Sequence, residues 1–159
     1  MASDIHKDDD SFGKALGSTS TKTKFSGILI EKDYYCTLLL EYLSSKCPNL
    51  VFKGGTCLSK VYADFYRLSE DLDFSITPAG RGNRTSRSNQ MKPFEQIFSD
   101  LPKVLDCFQI GQGLRGGANE SKHYGAIINY RSLLSEDLGH TPGIPGNSLP
   151  GIPGVCPKE

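Results

Sequence analysis

In the segment DLDFSI, Asp71, Asp73 and Ser75 alternate with Leu72, Phe74 and Ile76. A period of two is the pattern of a half-buried strand, and residues two apart on a strand point the same way. Two carboxylates held that close repel, and one is driven neutral unless a cation lies between them. A hard divalent ion such as Mg²⁺ takes oxygen ligands and resolves the repulsion. The apolar residues would pin the strand from behind. Upstream, VFKGGT places Gly54, Gly55 and Thr56 directly after a short apolar run. Glycines lack a Cβ and let the backbone approach a ligand closely. Their N–H groups, with those that open the next helix, make a concave anion site aided by the helix dipole. An anion-binding turn beside an acid pair is what a Mg²⁺-bound nucleoside triphosphate requires. Lys60 lies one turn along the helix from Thr56. It is either a point charge for a phosphate or a solvated helix lysine.

The elements that must position these residues follow from the flanking pattern. Ile30, Tyr34, Leu38, Leu39, Tyr42 and Leu43 recur at helical spacing and predict a helix over 28–46, stopped by Pro48 and Asn49. A strand at 50–53, the glycine turn, a helix over 56–66 capped by Thr56, and a strand at 71–76 follow in order. In the 56–66 helix, Leu58, Val61, Tyr62 and Phe65 share a face. A loop over 78–92 carries Arg81, Arg84, Arg87 and Lys92, and Pro93 suits the first turn of a helix running to Cys107. Pro102 lies inside that helix as a potential kink. A glycine-rich loop over 111–121 leads to a strand over 123–131. The order predicts an α/β domain with a small mixed sheet and helices on one side. Residues 1–24 are polar and read as a flexible arm, and 139–159, with a repeated PGIPG, read as a disordered tail.

Composition narrows the function. The chain has 159 residues with 18 basic and 18 acidic side chains, so no global field favours nucleic acid or membrane. No apolar run approaches the ~20 residues of a spanning helix, and the N-terminus lacks the order of a signal peptide. Five scattered cysteines without a C-x-x-C pair read as free thiols in a reducing cytoplasm. The segment GQGLRG matches a dinucleotide-binding fingerprint by letter. The residues after it do not open an amphipathic helix, so the turn that gives the motif its mechanism is missing. The arginine-bearing loop supports a second class, a binding module without catalysis that follows a nucleic-acid backbone. No aromatic residue interleaves with those arginines to stack bases.

FKGGTCLSKVYADFYRLSEDLDFSI closely resembles the nucleotidyltransferase motif of the AbiEii/AbiGii toxin family, within the DNA polymerase beta-like superfamily. In that family K-G-G-[ST]-x-L-x-K precedes R-x-S-E-D-[IL]-D-[FL]. IEKDYYCTLLLEYL resembles its first helix and YGAIINYRSLL a later strand, so the likeness runs over about 25–134. The resemblance implies a polymerase-beta-like core over 25–138 in which Gly54, Gly55 and Thr56 hold the triphosphate and Asp71 and Asp73 bind Mg²⁺. It implies transfer of a nucleotide to a hydroxyl, with tRNA ends among the family's acceptors, and a cognate antitoxin as partner. The superfamily carries a third acid on a later strand. Here Glu136 and Asp137 stand nearest that place, where a polar turn is the other reading. The family's C-terminal helical portion has no counterpart after the Pro/Gly segment, so a truncated nucleotidyltransferase is expected. A non-catalytic nucleic-acid- or protein-binding remnant is the alternative.

Overall fold

A computed structural model describes residues 4–61, 72–76, 84–118, 123–134 and 146–149. A single 3-10 turn, Asp4–Lys7, leads into α1 (Asp9–Thr23) and then α2 (Gly27–Lys46). β1 (Leu50–Lys53), α3 (Gly54–Val61) and β2 (Asp73–Ile76) follow. α4 (Arg84–Val104), β3 (Phe108–Ala118), β4 (His123–Arg131) and β5 (Gly146–Leu149) complete the order. The α/β class expected from the sequence is what the chain adopts. In place of one small mixed sheet, the described strands form two antiparallel sheets, β1–β2 and β3–β4–β5.

α2 is the spine. Ser26 caps it, its side chain accepting from the Leu29 N–H. Tyr35, Cys36, Leu38, Leu39, Tyr42 and Leu43 are all buried, because the helix is covered on more than one side. Tyr35 stacks on Tyr130 of β4 at 4.4 Å between ring centroids and meets Phe108 of β3 edge-on at 5.9 Å. Tyr42 Oη donates to the Ile97 carbonyl at 2.8 Å and ties α2 to α4.

The polar N-terminal segment read as a flexible arm contains an ordered helix. Phe12 and Leu16 of α1, one turn apart, are buried, and Phe12 packs against Tyr34 at 4.9 Å and edge-on against Tyr35 at 6.0 Å. Burying two such side chains contributes about 1.5–3 kcal/mol each toward docking a helix whose remaining residues are exposed or half-buried. Lys24, in the left-handed region, ends the helix and donates its N–H to the Ser20 carbonyl.

α4 begins at Arg84, inside the expected 78–92 loop, so Pro93 lies in its interior and not in its first turn. Met91, Phe94, Phe98 and Leu101 form one buried face across that proline. Their burial offsets the hydrogen bond Pro93 cannot donate.

The expected loop over 111–121 is largely β3. Its pairing with β4 shifts register three times, between Ile110/Gln112, Gln112/Arg115 and Gly116/Ala118. Such bulges suit a glycine-rich strand, and GQGLRG is therefore strand and not a βα turn. Part of the expected disordered tail, Gly146–Leu149, pairs with the other edge of β4. Those four residues lie between Pro145 and Pro150, and each can donate to the ladder.

Candidate functional site

β1 and β2 pair antiparallel with Leu50 opposite Ile76, Val51 opposite Ser75, Phe52 opposite Phe74 and Lys53 opposite Asp73. The Phe52 and Phe74 rings, 5.5 Å apart, lock that register from the apolar side. Leu72, Phe74 and Ile76 are buried, as the period-two pattern requires, and Asp73 between them is half-exposed. Ser75 is buried as well, so only the Asp73 end of the strand's polar face meets solvent.

β1 runs directly into α3 through Gly54, whose φ of +79° lies in the left-handed region. A Cβ placed on Gly54 would fall 3.0 Å from Asp73 Cβ and 3.1 Å from its Cγ, and nearer still to Oδ2. Glycine is therefore required twice, by backbone angle and by the carboxylate lying against its Cα. The two halves of the motif, distant in sequence, are in contact. Gly54 and Gly55 are exposed, so the opening of α3 beside Asp73 is reachable from solvent.

The rest of the expected set divides. The helix starts at Gly54, ahead of Thr56, so Thr56 is within the first turn and not the cap. It is 2% exposed, and its carbonyl accepts from Ser59 Oγ at 3.1 Å. Leu58 and Val61, read as part of one apolar face, are 60% and 61% exposed. The glycine turn sets the helix's rotation, and three- and four-residue spacing puts Thr56, Ser59 and Lys60 on the inward side instead. Tyr62 and Phe65 lie outside the described residues. Lys60 Nζ forms an ion pair with Asp33 Oδ1 of α2 at 2.7 Å and donates to Thr37 Oγ1 at 2.9 Å. Its charge thus joins α3 to α2. Sequence reasoning missed this because Asp33 and Thr37 belong to a different helix.

Asp71, Glu136 and Asp137 lie outside the described residues, as does Arg81. Among the described residues no group of three or more His, Cys, Asp or Glu side chains converges as a metal cage. Mg²⁺ commonly takes one or two carboxylates and completes its shell with water and substrate phosphates. Asp73, an oxygen donor at a solvent-open glycine turn, fits that requirement. Two described cavities lie elsewhere. One of about 320 Å³ lies between Pro48, Ile76 and Phe94, at the far end of the β1–β2 pair. One of about 260 Å³ lies between His6, Asp106 and Arg131.

A carboxylate packed against a glycine-opened helix start has the donor types that a phosphate-bearing substrate and its cation call for. The model of one family, the nucleotidyl transferase AbiEii toxin of type IV toxin–antitoxin systems, matches residues 37–141. The chain belongs to that family. No curated relative and no solved structure matches it. Among the described residues no helix is long and apolar enough to cross a membrane.

Proposed function

We propose that this protein transfers a nucleoside monophosphate from a nucleoside triphosphate to a hydroxyl, in a Mg²⁺-dependent reaction, as the toxin of a toxin–antitoxin or abortive-infection system. The observation that carries the proposal is the Asp73 carboxylate lying against Gly54 at the exposed opening of α3. Asp73 and Asp71 hold the ion. The backbone N–H groups from Gly54 to Thr56 hold the triphosphate, where the helix dipole favours negative charge. Mg²⁺, when bound, neutralises charge on the transferred and leaving phosphate oxygens. In the net reaction the acceptor oxygen bonds to the α-phosphorus and the bond from that phosphorus to the bridging oxygen breaks. Pyrophosphate departs with the electron pair, and the acceptor's proton passes to solvent. The buried Leu72 and Phe74 on either side of Asp73 support this reading, since they hold the strand that carries the carboxylate. The acceptor is an RNA hydroxyl, a tRNA end being the family-like choice. The setting is the cytoplasm, with a cognate antitoxin as partner.

The test incubates the protein with each labelled ribonucleoside triphosphate, Mg²⁺ and total RNA. Label should enter RNA, and Asp73→Asn should reduce it at least ~100-fold, since even residues that only orient a metal's ligands cost ~10–100-fold. Salt-sensitive RNA binding with no label transfer, indifferent to Asp73→Asn, would establish the non-catalytic binding module instead.

A further inference from the structure

The register of the β1–β2 pair brings Lys53 directly opposite Asp73. Directly opposed residues on antiparallel strands share a face, with Cβ atoms about 4.5–5.5 Å apart. Lys53 also immediately precedes the exposed Gly54 and Gly55. A cation and an anion thus flank the glycine turn on one face. Yet Lys53 is in no ion pair among the described residues, unlike Lys7, Lys60, Lys103 and Arg131. The other lysine near the turn, Lys60, directs its ammonium to Asp33 and Thr37.

We infer that Lys53 is the side chain that binds the triphosphate, taking the β- and γ-phosphate oxygens that leave as pyrophosphate. This rests on the proposed nucleotidyl transfer and names the residue that recognises its donor. A triphosphate keeps net negative charge after Mg²⁺ binds, and Asp73 repels that excess. A lysine across the strand from Asp73 balances the field without displacing the ion. Its three donors need no fixed geometry to reach mobile phosphate oxygens. A contact made equally in ground and transition states raises KM when removed and leaves kcat nearly unchanged.

The experiment compares wild type, Lys53→Met, Lys53→Arg, Lys60→Met and Asp73→Asn. KM and kcat are measured in the transfer assay, and ATP, GTP, CTP and UTP binding with Mg²⁺ by calorimetry. Thermal melting confirms folding. Lys53→Met should raise KM and Kd for the triphosphate ~10–100-fold, as expected for loss of a charged hydrogen-bonding partner. Inhibition by inorganic pyrophosphate should weaken by a similar factor, and Lys53→Arg should recover most of the loss. A Lys53→Met protein that melts like wild type and binds triphosphate within ~2-fold of it overturns the inference. So does a rise in KM confined to Lys60→Met. In both cases transfer that depends on Asp73 leaves the proposed activity standing. Wild type that binds triphosphate through Lys53 but transfers nothing overturns the activity and supports the inference. Wild type that binds none of the four overturns both.

Discussion

Gly54 is where a single atom decides the site. Alanine there must hold a φ of +79° and place its Cβ within 3.1 Å of the Asp73 side chain. A left-handed non-glycine residue costs about 1–2 kcal/mol, and the carboxylate must also move. Gly54→Ala should therefore lower stability by about that amount while reducing transfer far more, to the level of Asp73→Asn. Denaturant unfolding and the transfer assay separate the two effects. A variant with intact transfer would show that the close approach of glycine and acid has no role in the chemistry. The glycine turn was legible in the sequence because it comes from residue type, the missing Cβ. The role of Lys60 was not. Its spacing from Thr56 suits a phosphate, but its ammonium is bound to Asp33 and Thr37.

At the scale of elements, the N-terminal turn and α1 are held by a small polar–aromatic junction. His6 is buried and its Nδ1 lies 2.7 Å from Tyr34 Oη. Burial pushes its imidazole below the usual 6.5, while Asp4 and Asp106 oppose and Lys7 and Arg131 assist. The unfolded chain then takes up His6's proton first as pH falls, so stability rises with pH across this range. The His6 contribution is complete above pH 6.5 and is lost as pH falls through the lower folded value. Melting temperature measured from pH 7.5 to 5 should drop more steeply for wild type than for His6→Gln, the difference opening below pH 6.5. Parallel curves would remove His6 from the account. Nothing in the local sequence announced this junction. Phe12 and Leu16 are the two buried apolar residues that anchor α1, too few for periodicity to reveal, and the Phe12 partners Tyr34 and Tyr35 come from α2.

For the whole molecule, Glu31 joins the first half of the chain to the second. It is 0% exposed in the second turn of α2, and its carboxyl oxygens accept from the Leu133 N–H at 2.5 Å and from Ser132 Oγ at 2.6 Å. Removing it takes the carboxylate away from these two part-buried hydrogen bonds and opens a void beside α2. Glu31→Ala should cost about 2–4 kcal/mol in global unfolding, with faster amide exchange at Leu133. A loss under ~0.5 kcal/mol, the range of surface changes, would mean water replaces the carboxylate at no cost. By itself the amino-acid sequence determined the α/β class, the spine helix, the strand that carries Asp73 and the glycine turn. Each of these depends on neighbours within a few residues, through side-chain alternation, helical spacing or a missing Cβ. Tertiary structure alone decided that Gly54 touches Asp73, that Lys53 and not Lys60 faces it, and that a glycine-rich stretch is a strand. Those outcomes depend on register and on contacts between residues far apart in the chain. Their energies come from partners that no local pattern specifies.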